Sequence, residues 1–412
     1  LLYHPSLKIR AIMSDGPLSG IRVIDMTSVV IGPICTRTLA DQGADVIKIE
    51  PPSGDLLRNL AKGSRNPGMS GKFMNFNRNK RSICLDIKKS DGANAVRRLV
   101  KSGDVFVSNI RPDALNRAAL DWQNLKTLNP RLIYCAIVAF GKGGRYYNQP
   151  AYDPIVQSLS GIAGTFERAQ GQPLFVPMVM SDHVSGLIAA QCIGFALYRR
   201  EKTGQGEAIE VPMLENMASF VLSEHMGGAT FLPPEGPTGD NRLISPEYRP
   251  QPTKDGYITI SPNTDVQAFA FFDVIGRPEL KTDPRFNSPA SRTAHATKYF
   301  EIRAEGLLQR TTDDWLKIFM DLDIPAARFN TIDDLFEDPH LNDVGFFSEA
   351  THPSEGKIRQ TKVPNSFSGG NRNNELHAPL RGEQTKVLLT EAGYTTDEIE
   401  KMLANGSAFE PV

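Results

Sequence analysis

Residues 21–50 read IRVIDMTSVVIGPICTRTLADQGADVIKIE and carry the strongest structural signal in the chain. The apolar run IRVIDMT predicts a buried strand, the segment from Pro33 to Gly43 predicts a helix, and ADVIKIE predicts a second strand that ends at Glu50. A strand, a helix and a strand in this order form a βαβ unit, which joins two parallel strands.

The same alternation continues along the chain. The segments VFVSN (105–109) and RLIYCAIVAF (131–140) are strand-like, and each follows a helical segment, at 90–102 and 112–128. Repeated alternation of this kind predicts an α/β fold, with a doubly wound, mostly parallel sheet that is Rossmann-like and covered by helices on both faces.

A length of 412 residues predicts two domains. We expect a large Rossmann-like, ligand-binding domain from residues 13–205 plus 330–412, and a smaller α+β domain over residues 225–325. The Gly- and Pro-rich stretch 227–256 predicts a linker with a mobile loop. Residues 1–12 lack the pattern of a signal peptide and are predicted to be an N-terminal extension.

The composition argues against several classes of protein. The formal net charge is −1 and no apolar run reaches the ~18 residues of a spanning helix, so we expect no nucleic-acid partner and no membrane association. Cys35, Cys84, Cys135 and Cys192 are far apart and form no metal-binding motif, which predicts reduced thiols, no metal site and a cytoplasmic location. No P-loop or dinucleotide fingerprint is present, so no permanently bound cofactor is expected.

Asp182 is the first candidate for a functional residue. It lies in VPMVMSDHVSGLIAA (176–190), after an apolar run and at the start of a predicted buried helix that reaches Arg200. As a helix N-cap, its side chain would accept backbone N–H bonds and stabilise the helix. Alternatively, those N–H groups and the helix dipole keep an ionised carboxylate in a dry pocket, where it can act as a nucleophile, and Gly186 lets a ligand approach the backbone.

A second candidate region is basic. Arg111 and Arg117 follow a predicted strand at the carboxyl edge of the sheet, where α/β folds bind ligands, and two arginines suit a phosphate-rich ligand. The pairs KR (80–81) and KK (88–89) flank the strand-like SICLDI and would add positive charge to this region. A basic face that contacts only solvent is the alternative interpretation.

Together these segments resemble family III coenzyme A transferases, the group that includes formyl-CoA transferase, carnitine CoA-transferase and the related α-methylacyl-CoA racemases. The resemblance is carried by residues 17–55, FNRNKRSICLDIKK, SNIRPDALNR, LNPRLIYCAIVAFG, PAYDPIVQSLSG, SDHVSGLIAA, REKTGQGEAIEVPMLE, DGYITI and DIPAARFNTIDDLFEDPHL. Each segment alone is weak, but their order from about Pro17 to Gly382 is specific. The resemblance implies an enzyme that acts on an acyl-CoA and a carboxylic acid and forms an interlaced homodimer.

The resemblance also implies a mechanism and a binding site. The nucleophilic aspartate of the family falls on Asp182, which would form an acyl-aspartyl anhydride, then an aspartyl-CoA thioester, then the product thioester. An anhydride is about as reactive as a thioester, so neither half-reaction ends in a deep energetic well. The implied coenzyme A contacts are Leu85, Lys88, Asn109, Arg111, Arg117 and Tyr152.

One motif separates a transferase from a racemase. The racemases carry GHD where this chain has Ala151-Tyr152-Asp153, and racemisation needs an acid and a base on opposite faces of the α-carbon. The missing histidine favours transfer, while Asp153 is a conceivable substitute base, so a racemase-like isomerase is the alternative function. A non-catalytic acyl-CoA-binding protein is a third hypothesis, which the intact Asp182 motif disfavours.

Departures from formyl-CoA transferase bear on the substrate. Ser28, Val30 and Ile31 replace polar residues in the loop after the first strand, and Pro51 stands where a basic residue touches the adenine end of coenzyme A. The glycine run of the small domain is also missing. We therefore expect acids other than oxalate and formate.

The predicted acceptor is a dicarboxylic or otherwise less compact acid. In the region that corresponds to the missing glycine run, this chain reads GDNRLISPEYRPQPTKDGY (239–257). Arg242, Tyr248 and Arg249 in this segment are predicted to hold a second carboxylate.

Overall fold

The computed structural model describes residues 16–60, 64–370 and 376–411. The predicted extension over residues 1–12 lies outside the described residues. The chain divides into two compact units, and each is discontinuous in sequence. The first unit contains residues up to 156, 178–217 and 345–412, and the second contains 157–177 and 218–344.

This division differs in its boundaries from the predicted domains. Residues 157–177 belong to the second unit, and that unit extends to residue 344. The predicted small domain began at 225 and ended at 325.

The regular elements follow one another as the alternation predicts. The strands are β1 (Arg22–Met26), β2 (Asp45–Glu50), β3 (Lys80–Leu85), β4 (Val105–Ser108), β5 (Ile133–Val138), β6 (Glu207–Pro212), β7 (Gln251–Pro252), β8 (Tyr257–Ile260), β9 (Ala326–Arg328), β10 (Phe347–His352), β11 (Gly356–Thr361) and β12 (Ala408–Phe409). The helices are α1 (Ile31–Asp41), α2 (Leu57–Leu60), α3 (Gly71–Asn77), α4 (Ser90–Lys101), α5 (Pro112–Arg117), α6 (Trp122–Leu128), α7 (Asp153–Leu159), α8 (Ile162–Gln170), α9 (Met180–Thr203), α10 (Met213–His225), α11 (Asp265–Val274), α12 (Pro289–Ala294), α13 (Ala296–Leu307), α14 (Thr312–Asp321), α15 (Pro339–Asp343), α16 (Thr385–Glu391) and α17 (Thr396–Ala404).

The first unit is built on a seven-stranded sheet in the order β12-β3-β2-β1-β4-β5-β6. Neighbouring strands are parallel except for the short β12, which pairs antiparallel with β3. The predicted α/β fold with a large, mostly parallel sheet is therefore confirmed. The strand order reverses between β1 and β4, so their carboxyl ends border the crevice where such sheets bind ligands.

Strands β1 and β4 are apolar because both faces of the sheet are covered. Val23, Ile24, Val105, Phe106 and Val107 are fully buried. Near-continuous burial of this kind is typical of parallel strands between two helical layers.

One long face of helix α9 is buried in this chain and the opposite face is exposed. The helix ends at Gly204, which adopts a left-handed φ of 73° as the C-cap. Ala189, Ile193 and Leu197 are buried, but Phe195 on the outer side is 63% exposed. The prediction of a buried helix is thus wrong for its outer face, because the sequence is apolar on both sides of the helix while only one side packs on this chain.

Gly186 on α9 packs directly against α1. A Cβ atom at this position would lie 2.2 Å from Ile34 Cγ2 and 2.5 Å from the Ile31 carbonyl oxygen. The prediction that Gly186 lets a ligand approach the backbone is therefore wrong, because the space belongs to the neighbouring helix. The glycine sets the distance between the two helices.

The second unit has a core of its own. Its three-stranded antiparallel sheet has the order β7-β8-β9. The aromatic side chains of Phe271, Phe272, Trp315 and Phe319 are fully buried together against it. Strands β10 and β11 of the first unit form a separate antiparallel hairpin. Among the described residues, no helix combines the length and apolarity that crossing a bilayer demands.

Replacing Gly186 with alanine is expected to destabilise the protein by about 3 kcal/mol, since the new methyl group overlaps α1. Gly194 on the same helix is the matched control, because a Cβ there meets no atom within 4 Å. G194A should be neutral or stabilising by up to about 1 kcal/mol, as expected for Gly to Ala inside a helix. Urea unfolding of both variants measures this difference, and equal effects would show that Gly186 does not set the contact.

Candidate active site

A cavity of about 290 Å³ lies at the carboxyl ends of β1, β4 and β5. Its lining includes the apolar side chains of Ile31, Ile137 and Met213 together with several polar groups. Three predicted coenzyme A contacts line it together with Asp182: they are Asn109, Arg111 and Tyr152. The topology thus brings together four predicted residues, of which Asn109 and Asp182 are 73 positions apart in the sequence.

Asp182 lies in the first turn of α9, two residues after its first residue. Its side chain is 8% exposed. Burial, and next the negative charge of Asp153, raise the pKa of the Asp182 carboxyl to about 7, with Lys72 opposing the shift. The expectation that helix N–H groups keep this carboxylate ionised is therefore wrong. The group is desolvated and lies beside a like charge.

Asp153 takes the capping role that the sequence suggested for Asp182. It begins α7, and its Oδ1 accepts hydrogen bonds from the backbone N–H groups of Ser181 at 2.7 Å and Asp182 at 3.2 Å. These are the second and third N–H groups of α9, which an N-cap side chain normally satisfies. The N-cap residue Val179 has no side chain that could do so.

The loop after β1 is held by side chains from three other parts of the chain. Asp25 Oδ1 accepts from the Thr27 N–H, Asn109 Oδ1 from the Ser28 N–H, and Asp55 Oδ1 from the Val29 N–H. Val29 has a φ of 67°, a left-handed conformation that is rare for a β-branched residue. Such strain, on the order of 1–3 kcal/mol, persists only where the surroundings impose it.

Asn109 is committed to this loop. Its Nδ2 donates to the Ser28 carbonyl oxygen at 2.9 Å, and its Oδ1 accepts from the Ser28 N–H at 3.1 Å. Both ends of the amide therefore connect β4 to the loop after β1. Asn109 borders the cavity mainly as the residue that fixes Ser28 in place.

Buried ion pairs connect the same loop to strands β2 and β3. Lys48 Nζ donates to Asp55 at 2.8 Å and to the Thr27 carbonyl oxygen at 3.0 Å. Lys80 Nζ contacts Asp25 at 3.1 Å and Thr36 Oγ1 at 2.7 Å. Burial lowers the pKa of Lys80 to about 8, although Asp25 opposes the shift.

Lys80 and Arg81 are therefore not part of a ligand-binding basic face. Lys80 is fully buried, and Arg81 pairs with Asp45 at 2.7 Å and Glu391 at 2.6 Å. The sequence showed two cations next to each other, but successive residues on a strand point to opposite faces of the sheet. Each of them meets its own carboxylates there.

A second cavity of about 350 Å³ lies beside the first, and Ile110 lines both. Leu85 and Lys88 line this second cavity together with Pro51 and Ile87. Arg117 lines neither cavity, since it is exposed in the last turn of α5. The predicted coenzyme A contacts thus fall on two adjoining cavities, with Arg117 outside them.

The three residues predicted to hold a second carboxylate belong to the second unit. Arg242 pairs with Asp240 at 3.6 Å, and Arg249 pairs with Glu247 at 3.1 Å. Both guanidinium groups therefore already have a carboxylate partner on their own loop, which makes them poor candidates for binding another.

Sequence reasoning missed how the site is supported. Asp25 and Lys48 lie inside apolar strands, and a charge in a doubly covered strand indicates a buried pair. That signal was present in IRVIDMT and ADVIKIE. For Asp153 the sequence carried only a local indication, because Asp followed by Pro is typical of a helix start. Nothing near it in the sequence indicates that its side chain bonds to the start of α9.

Residues 18–385 match the family described as CoA-transferase family III. The chain belongs to CoA-transferase family III. The identification of an enzyme of this family, made from the sequence, is therefore confirmed. The family uses coenzyme A thioesters as substrates.

Relatives of known name share most of the chain. It is 31% identical over 382 residues to a succinate–glutarate CoA-transferase of Agrobacterium fabrum, covering 91% of this chain and 95% of the relative. It is 32% identical over 419 residues to a formyl-CoA:oxalate CoA-transferase of Shigella boydii, covering 94% and 99%. A CaiB/BaiF family protein from Brucella suis has a similar crystal structure, with a TM-score of 0.77, 28% identity and coverage of 92% and 99%.

The raised pKa of Asp182 predicts that D182N is more stable than the native protein at alkaline pH. A carboxyl whose pKa rises from 3.8 to about 7 on folding loses stability as pH increases between those values, because the folded state must then bury a charge. The gap between the two proteins should widen from pH 5 to pH 7, stay constant above pH 8, and reach about 4 kcal/mol at most.

Urea unfolding of both proteins from pH 5 to pH 9 measures this gap. D113N is the control, because Asp113 lines the same cavity but is exposed. A pH-independent gap for D182N would contradict a raised pKa.

Proposed function

We propose that this family III enzyme transfers coenzyme A from an acyl-CoA to a carboxylic acid, with Asp182 as the nucleophile. The supporting observation is a buried carboxylate, whose pKa is raised to about 7, in the lining of the cavity at the strand-order reversal. A carboxylate with a raised pKa is more basic and hence a better nucleophile once it ionises, and it is partly ionised near neutral pH.

The proposed reaction has two mirrored halves. The Asp182 carboxylate attacks the thioester carbonyl and expels the coenzyme A thiolate, which leaves a mixed anhydride. The thiolate then attacks the Asp182 carbonyl, releases the donor acid as a carboxylate and forms an aspartyl-CoA thioester. The acceptor carboxylate attacks this thioester and expels the thiolate, which leaves a second mixed anhydride. The thiolate then attacks the acceptor carbonyl, forms the product thioester and releases Asp182 as a carboxylate.

Coenzyme A is proposed to occupy the two adjoining cavities. Leu85 and Lys88 would contact the distal part, and Arg111 and Tyr152 would contact the part that leads to Asp182. Ile110 lines both cavities, and this adjacency supports one ligand that extends through both of them. Asn109 would act by holding the loop at Ser28, and Arg117 would approach the ligand only from the exposed end of α5.

A dicarboxylic acid is the proposed acceptor. The names of both relatives include at least one dicarboxylic acid: succinate and glutarate in one, oxalate in the other. Arg242 and Arg249 are paired on their own loop, so they are not proposed to bind this acid. The apolar side chains of Ile137 and Met213 in the cavity lining suit the methylene groups of an acid longer than oxalate.

A homodimer belongs to the same proposal. The outer face of α9 exposes the large apolar side chains Leu187, Phe195 and Tyr198, and a helix that is apolar all round is normally buried. A cytoplasmic location is also proposed, supported by the presence of all four cysteines as free thiols.

The racemase alternative loses its proposed base. Asp153 is 3% exposed and does not line the cavity, and one of its oxygens already accepts two backbone N–H groups. A general base must reach the proton that it removes.

Trapping the covalent enzyme tests the proposal. After incubation with succinyl-CoA, intact mass spectrometry should show the native protein heavier by coenzyme A less one water, and hydroxylamine should convert Asp182 into a hydroxamate that peptide mapping locates. D182A should form no adduct, whereas D113N should form it, since Asp113 is another carboxylate of the same cavity. Absence of the adduct, with exchange of the substrate α-proton for deuterium, would instead favour the racemase.

Discharge of the trapped enzyme tests the acceptor. Glutarate and succinate should remove the adduct and yield their CoA thioesters, whereas valerate and butyrate, which have matched chain lengths, should act at least tenfold more slowly. Equal rates for the two classes of acid would contradict the proposed second carboxylate.

Neighbouring lysines test the proposed coenzyme A site. Lys88 lines the second cavity, whereas Lys89 bonds to the Asn405 carbonyl oxygen and lines neither cavity. K88A should raise the KM for the acyl-CoA roughly three- to thirtyfold at nearly constant kcat, as the loss of one exposed charge-assisted bond implies, and K89A should not. Identical KM values for the two variants would remove Lys88 from the site.

A further inference from the structure

Asp153 touches the backbone of the proposed nucleophile while standing outside the cavity. We propose that Asp153 is a positioning residue that holds the first turn of α9 and, by its negative charge, drives Asp182 toward its acylated form. This role rests on the proposed covalent transfer and assigns a task to a residue that does not touch the substrate.

The geometry fixes where Asp153 acts. Its Oδ1 lies 2.7 Å from the Ser181 nitrogen and 3.2 Å from the Asp182 nitrogen, and all three residues are buried. The backbone that carries the nucleophile is therefore tied to the start of α7. These two N–H groups are also the donors that would otherwise stabilise a carboxylate at the start of α9.

The titratable groups nearest to Asp182 lie on α7, α3 and α9 itself, and Arg111 and Asp113 at the start of α5 line the same cavity. Asp153 on α7 is negatively charged, and Lys72 on α3 is positively charged and opposes it. His183 on α9 itself lies edge-to-face with Phe76 at 5.6 Å. Burial and then Arg37 on α1 lower the pKa of His183, so this ring is neutral at physiological pH. Of these groups, Asp153 is the one whose negative charge raises the pKa of the Asp182 carboxyl.

Acylation relieves this repulsion. In the free enzyme, ionised Asp182 and Asp153 are neighbouring charges in a poorly solvated place, where like charges interact strongly. When Asp182 attacks the thioester, its oxygen becomes part of a neutral anhydride and the negative charge leaves with the coenzyme A thiolate. Asp153 takes no covalent part in this step, so its charge opposes the free carboxylate of Asp182 but not the neutral anhydride.

The variant D153N separates charge from geometry. The asparagine side-chain oxygen can accept the same two N–H groups, so the helix start is retained while the charge is lost. The rate of adduct formation at Asp182 is measured by quenched single-turnover mass spectrometry from pH 5 to pH 9. In the native enzyme the rate should rise with pH to a plateau, with a midpoint near 7, because only ionised Asp182 attacks.

D153N should move this midpoint down by about one pH unit or more and lower the plateau rate about tenfold, with the half-saturating thioester concentration unchanged. D153E, which keeps the charge, should retain a midpoint near that of the native enzyme. D113N should leave the midpoint in place. If D153N does not fold, the midpoint of D153S, whose hydroxyl keeps one acceptor, is compared with that of the native enzyme instead.

An unchanged midpoint in D153N would overturn the proposal and leave Asp153 as a helix cap only. An equal shift in D113N would also overturn it, because any carboxylate near the cavity would then have the same effect. Absence of any adduct in the native enzyme is a different result, which would refute the covalent transfer itself and with it this role.

Discussion

The structure depends on the pairing of charges buried beneath the loop after β1. Lys48 with Asp55 and Lys80 with Asp25 are fully or almost fully buried, and removing one partner of such a pair costs about 3–5 kcal/mol. The same carboxylates accept the N–H groups of Thr27 and Val29. These pairs therefore tie the loop at the rim of the cavity to the neighbouring strands of the sheet.

The surroundings of Asp182 shift its pKa in the opposite direction from that of Asp25. Asp25 accepts bonds from Thr27, Thr36 and Lys80, and although burial raises its pKa, these partners bring it below the usual value. In the described part of the chain the Asp182 carboxylate forms no hydrogen bond, and the N–H groups of Ser181 and Asp182 donate to Asp153 instead. One buried aspartate is stabilised as an ion and supports the fold, whereas the other is buried with a raised pKa and costs stability when it ionises.

The sequence predicted the sheet and the position of α9, because these follow from local periodicity or from a family pattern, and it placed Asp182 at the start of that helix. It did not predict the roles of Gly186, Lys80 or Asp153, because each depends on a partner distant in the chain. Gly186 contacts α1 about 150 residues earlier, and Asp153 bonds to residues 28 and 29 positions later. Residue type alone was compatible with a ligand approach at Gly186, a basic face at Lys80 and a catalytic base at Asp153.

Gly186 also has a bearing on Asp182. The two residues are four apart on α9, so they lie on the same side of the helix, one turn from each other. Gly186 rests on Ile31 and Ile34 at the start of α1, and α1 begins directly after the loop that contains Val29. The α1–α9 distance therefore sets the distance between the Asp182 carboxylate and the strained loop across the cavity. Close packing of α1 on α9 holds one side of the cavity and the buried ion pairs hold the loop after β1, so a core glycine contributes to the geometry of the cavity without lining it.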